Sequence, residues 1–168
     1  CVDARQNGAI LSPRFELIKL RKKKNSVVYL NESDIDKLKA LNDSELGERL
    51  TSVKDWLLIS CFTGQRVSDF FHSDEKNIRK VDGATLLDIT QQKTNKYVTI
   101  PLLPEVLEIL NKYNGRFPAV ISEQKFNKYV KEVGEKAGID EPTYGGILTK
   151  IDINKNRKVF GTFPKYEL

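Results

Sequence analysis

From Leu46 to Thr63, apolar residues fall at three- and four-residue intervals, and the run stops at Gly64. Leu50, Val53, Leu57 and Cys61 share one side of a 3.6-residue helix, with Trp56 and Ser60 alongside. Glycine is a natural stop, because it takes the left-handed conformation after a last helical turn at little cost. An inward face of this length calls for a core to cover it. The 168 residues are enough for one domain with such a core and barely enough for two. Placed within this pattern, Cys61 reads as a buried free thiol.

Beyond Gly64 the texture changes. Ile78–Val81, Thr85–Thr90 and Tyr97–Ile100 are short β-branched runs, and Asp82-Gly83 and Thr94-Asn95-Lys96 supply turns between them. Pro104 can begin a helix carried on by Val106, Leu107, Ile109 and Leu110 as far as Asn114-Gly115. Ser122 caps another, with Phe126, Tyr129, Val130 and Val133 facing inward, ending at Gly138. Gly146–Phe163 alternates as a hairpin turning near Asn154–Asn156. Ahead of the long helix, Asn31 or Ser33 caps a helix over about Asp34–Asn42, and Ser26–Leu30 is a short β-type run. The fold class is therefore α+β and mainly α, with a small antiparallel sheet; helices and strands do not alternate as a parallel sheet requires.

Composition narrows the function by exclusion. Hydrophobic residues make up 39% and charged residues 30%, the balance of a folded chain rather than a disordered one. No apolar run approaches the ~20 residues needed to cross a bilayer, and residues 1–10 lack the pattern of a signal peptide. Cys1 and Cys61 have no metal-ligand spacing, and a reducing cytoplasm is the expected location. There is no glycine-rich phosphate loop, no metal-ligand cluster and no GxSxG elbow. The one histidine, His72, sits in a polar stretch and reads as a surface residue. The sequence contains no methionine, a first one included, so the chain reads as part of a longer product.

The net charge of +5 is modest, but it is unevenly placed. Arg21, Lys22, Lys23 and Lys24 form one basic run, and Lys150, Lys155, Arg157 and Lys158 form a second cluster, while Glu32–Glu48 is mostly acidic. Such segregation suits a polyanion met by one face, although solvated surface lysines would give the same count.

Two segments could carry chemistry. In Cys61-Phe62-Thr63-Gly64-Gln65-Arg66-Val67-Ser68-Asp69, an arginine follows directly on a helix-ending turn. Guanidinium suits a phosphate through two parallel hydrogen bonds and a charge that is never lost. Asp69 could orient or neutralise it; a helix cap followed by a surface Arg–Asp pair would read the same. In Gln91-Gln92-Lys93-Thr94-Asn95-Lys96-Tyr97-Val98-Thr99-Ile100-Pro101-Leu102, lysines stand in the turn of a hairpin that a scaffold could present to a ligand. Turn lysines also guard strand edges against aggregation.

Together these segments resemble the tyrosine recombinases (the phage-integrase family), especially integrases of mobile elements such as phages and conjugative transposons. Thr63–Asp69 matches T-G-x-R-x-S-[DE], the family's first catalytic box, and Q-x-K-T-x-x-x-V-x-I-P-L follows as the lysine hairpin. The likeness continues through Ser122-Glu123-Gln124, Lys136-Ala137-Gly138-Ile139 and Phe163–Leu168, covering about residues 26–168. It implies the front part of a catalytic domain, with residues 1–25 as a linker or tail of an upstream core-binding domain. It implies that Arg66 clamps the scissile phosphate and that Lys93 protonates the leaving 5′-hydroxyl, Lys96 being the less suitable substitute. DNA contacts would come from Arg21, Lys22, Lys23, Lys24, Lys96, Gln124, Lys125 and Lys128, with Lys131 on the same stripe; a merely solvated stripe is the plain alternative. The implied reaction breaks and rejoins double-stranded DNA through a 3′-phosphotyrosine, alongside other recombinase protomers and with neither metal nor ATP. The family's H-x-x-R box, its further histidine or tryptophan and its nucleophilic tyrosine have no counterpart here, since Tyr29, Tyr97, Tyr113, Tyr129, Tyr144 and Tyr166 all precede where that box should fall. The expectation is a truncated domain unable to cleave DNA alone, with an apolar surface left open near Leu168. A non-catalytic DNA-binding accessory module is the alternative.

Overall fold

A computed structural model describes residue 8 together with 28–152 and 155–168, the side chains of 148–157 falling outside that description. The first helix, α1 (Glu32–Ala40), opens on a reciprocal cap: Asn31 Oδ1 accepts the Asp34 N–H and Asp34 Oδ2 accepts the Asn31 N–H, both at 2.9 Å. Of the β-type run at 26–30, residues 28–30 form no strand. A β-branched run becomes a strand only where a neighbour offers a ladder, and Leu30 instead packs against the core from irregular chain.

The long helix, α2 (Asp43–Thr63), begins before its apolar pattern does. Asn42 caps it by accepting the Ser44 N–H at 3.2 Å, and Gly47, at φ 72° and ψ 161°, kinks it after the first turn. Past the kink it is wrapped on all sides: Leu50, Val53, Trp56 and Ile59 are buried, and so are Thr51, Ser52, Lys54, Asp55 and Leu58. Cys61 is exposed, contrary to expectation. The fully buried line runs Leu50, Val53, Trp56, Ile59, and Cys61 lies about 200° round from Ile59, at about 100° per residue. Gly64 ends the helix at φ 65°, its N–H bonded to the Ser60 carbonyl at 2.9 Å.

Next come a one-turn helix, α3 (Val67–Phe70), and a short 3-10 turn, Glu75–Asn77. An antiparallel sheet in the order β1 (Ile78–Val81), β2 (Ala84–Gln91), β3 (Lys96–Pro101) follows. Its first turn places Asp82 and Gly83 at positive φ, 49° and 80°, as a two-residue hairpin demands. Its second spans Gln92–Asn95, and Lys96 opens β3 instead of closing the turn. Two helices, α4 (Pro104–Lys112) and α5 (Glu123–Lys136), pack on α2. A long hairpin, β4 (Pro142–Asp152) with β5 (Lys155–Pro164), leads into a 3-10 turn at Lys165–Glu167. That turn lies so close to α5 that a Cβ on Gly134 would stand 2.8 Å from the Tyr166 Cβ.

Five rings hold the centre. Trp56 stacks on Phe70 and Phe117 at 5.3 and 5.5 Å and meets Phe71 edge-on at 5.2 Å. Its Nε1 donates to the Ala119 carbonyl at 3.1 Å, so the buried indole leaves no donor unpaired. Phe126 of α5 closes the cluster against Phe70 and Phe71, at 5.8 and 5.2 Å. The same rings therefore fasten α3 and the front of α5 to α2. Among the described residues, no helix is long and apolar enough to cross a membrane.

Candidate active site

Arg66 stands between two fixed points. Two residues before it, Gly64 turns the chain out of α2, and four residues after it, Phe70 followed by Phe71 sinks α3 into the ring cluster. Arg66 is extended (φ −72°, ψ 154°) at the head of α3, with its side chain about half exposed at 52%. Asp69, one turn later, is fully buried at 0%, and its Oδ2 lies 3.7 Å from Arg66 Nη1. That is an ion-pair distance, too long for a hydrogen bond, and Oδ2 has no hydrogen-bond partner. The guanidinium is thus backed by a carboxylate while its remaining donors face water.

The other Asp69 oxygen reaches the lysine turn: Oδ1 accepts the Gln92 N–H at 2.9 Å. One further hydrogen bond joins the segments, and one more within each segment braces it. Gln91 Nε2 donates to Gln65 Oε1 at 3.0 Å, Gln65 Nε2 donates to the Thr63 carbonyl at 3.2 Å, and Thr94 Oγ1 donates to Gln91 Oε1 at 2.9 Å. The His72 ring lies against the Ser68 carbonyl at 2.6 Å and the Gln92 side-chain amide at 3.0 Å. His72 is exposed, as expected, but it has partners on both sides. Arg66 and Lys93 are therefore carried by chain segments bonded to each other, one through helix and one through hairpin. Lys93 itself is exposed, and neither its side chain nor that of Lys96 has an ion-pair or hydrogen-bond partner among the described residues.

The expected DNA contacts are divided. Arg21, Lys22, Lys23 and Lys24 lie outside the described residues, as does the linker assigned to residues 1–25 apart from Gly8. Gln124, Lys125 and Lys128 are exposed on the first turns of α5, where the Ser122 hydroxyl accepts the Lys125 N–H at 3.4 Å. Through Phe126 those turns are anchored to the cluster that holds α3. Lys131 departs from the stripe: it is half-buried, donates to the Glu167 carbonyl and pairs with Glu167 Oε2 at 3.5 Å. Sequence reasoning missed Gln65, Gln91, Gln92 and His72 as the joints of the site. Their only signal was three glutamines and the one histidine flanking the two motifs. Among the described residues, no three His, Cys, Asp or Glu side chains gather as metal ligands would.

A half-exposed guanidinium held from behind, with a free ammonium on an adjoining turn, is an arrangement suited to an anionic oxygen cluster such as a phosphodiester. No protein-family model and no curated protein matches the chain. Among solved structures, its fold is similar to that of the XerH site-specific recombinase bound to difH substrate in a pre-cleavage complex. The identity is 18%, the TM-score 0.52, and the match covers 75% of this chain and 41% of that one. A post-cleavage complex of XerH on palindromic difH substrate matches at 17% identity and TM-score 0.48, covering 66% of this chain and 36% of the other. Over the matched part the chain shares the fold of the XerH site-specific recombinase, and it spans about two-fifths of that protein's length.

Proposed function

We propose that the chain belongs to a DNA site-specific recombinase and contributes Arg66 and Lys93 to its active site. The observation that carries this reading is the joining of the two motifs: Gln92, beside Lys93, is bonded through Asp69 to the helix that Arg66 heads. Arg66 would hold the scissile phosphate, where negative charge grows on the non-bridging oxygens as the nucleophile attacks. A preset donor gains most at that moment, so its contribution falls on the rate. Lys93 would give its proton to the 5′ oxygen as the P–O bond breaks, leaving the phosphate joined to a tyrosine on the 3′ side. On this reading the tyrosine and an H-x-x-R box would come from elsewhere in the gene product, since none of the six tyrosines here follows such a box. Gln124, Lys125, Lys128 and Lys96 would contact the phosphate backbone of double-stranded DNA, and other recombinase protomers would complete the assembly. The setting would be a cytoplasmic mobile-element integrase, and no metal or nucleotide cofactor enters the chemistry.

The full-length product of the gene, mixed with a nicked duplex carrying its site, provides the test. A covalent protein–DNA adduct is the expected result, because the nick lets the cleaved strand escape before rejoining. Tight, salt-sensitive binding without an adduct would favour the second reading, an accessory module that binds DNA and does not cut it. The exposed lysines of α5 accommodate that reading equally.

A further inference from the structure

His72, the one histidine in the sequence, has no part in the chemistry described so far. Its Nδ1 lies 2.6 Å from the Ser68 carbonyl oxygen, an atom that can only accept. Nδ1 must therefore carry the hydrogen, which leaves Nε2 of the neutral ring as an acceptor. The Gln92 amide nitrogen lies 3.1 Å from Nε2 and 3.0 Å from Nδ1. Near-equal distances to the two ring nitrogens place the amide nitrogen over the face of the ring, which its Nδ1–H anchors to Ser68. Gln92 is thus held twice from one helix, its main chain by Asp69 and its side chain, through the ring, by Ser68. Lys93 is the next residue, and its side chain has no partner among the described residues; its place is set by a turn that Thr94 and Asn95 close onto Gln91, at 2.9 and 2.8 Å, and that the hold on Gln92 ties to the helix.

We propose that His72 is a positioning residue for Lys93. In its Nδ1–H form the ring pins Gln92, and through it the lysine turn, at the separation from Arg66 that proton delivery requires. The inference rests on the reading of Lys93 as proton donor. The ring touches neither substrate nor reacting atoms; it acts only through Gln92. Misplacing a reacting group by about 1 Å can slow a reaction about 100-fold, so a loosened turn should register in the rate.

Two measurements test this. Nitrogen-15 NMR of the imidazole in the 168-residue chain should show Nε2 as the unprotonated nitrogen of the neutral ring; a neutral ring protonated at Nε2 would overturn the proposal. The second measurement compares cleavage by the full-length product of two duplexes, one ordinary and one with sulfur in place of the 5′ leaving oxygen. A thiolate departs without needing a proton, so the sulfur duplex bypasses Lys93. His72→Ala should slow the ordinary duplex about 10- to 100-fold, cut the sulfur duplex at nearly the wild-type rate and bind DNA unchanged. Gln92→Ala should do the same, and the double variant should be no slower than either single one. Equal slowing on both duplexes, or additive losses, would show a role that does not pass through Lys93. Should His72→Ala fail to fold, Gln92→Ala and the ring tautomer still decide the matter. A Lys93→Ala variant that is not restored on the sulfur duplex would instead remove the reading of Lys93 itself.

Discussion

Two groups of lysines among the described residues stand in contrast. Lys54 and Lys165 are buried, each side chain about 7% exposed, and both are fully partnered. Lys54 Nζ donates to Asp43 Oδ1 at 2.6 Å and to the Leu41 carbonyl at 2.9 Å, and Lys165 Nζ donates to Asp34 Oδ2 at 2.5 Å. Lys112 joins the first group at its edge, 2.6 Å from Asp43 and 2.5 Å from Asp55. Lys93, Lys96, Lys125 and Lys128 are exposed and without ion-pair partners among the described residues. The contrast follows from solvation. A cation removed from water has to be paired, so buried lysines act as ties: Lys165 binds the last 3-10 turn to α1, and Lys54 with Lys112 binds α2 to α4 and to the loop before it. The exposed lysines keep their charge available to an outside anion while their backbones stand on rigid elements. Arg66 lies between the two, half exposed with a buried carboxylate behind it, as suits a group that must be both charged and fixed.

The sharpest way to break the comparison is to remove a tie. Lys165→Met strands the Asp34 carboxylate in the interior and should cost about 3–5 kcal/mol in chemical denaturation, with DNA affinity of the remaining folded protein unchanged. The same pair sets an acid limit. Burial alone would raise the Asp34 pKa, but the Lys165 and Asn31 hydrogen bonds outweigh it and hold the carboxyl below its ordinary 3.8. Its contribution to stability is complete above that value and is lost as pH falls through the lower folded-state pKa. A flat acid-unfolding difference between wild type and Lys165→Met would contradict this.

Arg66→Ala should shift the balance, costing less stability than Lys165→Met because its pair with the buried Asp69 is longer, at 3.7 Å, and half exposed, while lowering the rate of adduct formation about 10²- to 10³-fold, as loss of a transition-state donor does. Lys128→Ala should be milder. Binding should weaken alike on all duplex sequences, and the slope of log affinity against log salt should fall by about 1. An unchanged slope would return the α5 lysines to the solvated surface. Smallest of all is a mark of the tied network at Tyr113, whose hydroxyl donates to Asp55 Oδ2 at 2.8 Å. Burial first, then the hydrogen bond and charge of Asp55, push its pKa up to about 12. Its stabilisation is whole below pH 10 and lost as pH rises toward 12, so an ultraviolet titration should show a late-ionising step that Tyr113→Phe removes.

Much of this was legible in the sequence because it is local. The three-strand sheet followed from β-branched runs separated by Asp82-Gly83 and Asn95, and the caps from Asn31 and Ser122, each decided within a few residues. The polar first turn of α2 was not, because apolar spacing says nothing about a turn held by Asn42. Cys61 was misplaced for a related reason: its spacing from Leu57 suited one face, while the neighbours of α2 cover a different side near its end. In the site, Arg66 and Lys93 could be singled out from their motifs. Their linkage could not, since it depends on Asp69, Gln92 and His72 meeting across two elements far apart in the chain.

The central claim is that Arg66 and Lys93 perform different tasks on one phosphate. Cleavage of the ordinary and 5′-sulfur duplexes by the Arg66→Ala and Lys93→Ala variants of the full-length product tests it most directly. The account predicts that sulfur restores Lys93→Ala to near the wild-type rate and leaves Arg66→Ala slow, because a better leaving group replaces a proton and not a phosphate clamp. Equal behaviour of the two variants on both duplexes would contradict it.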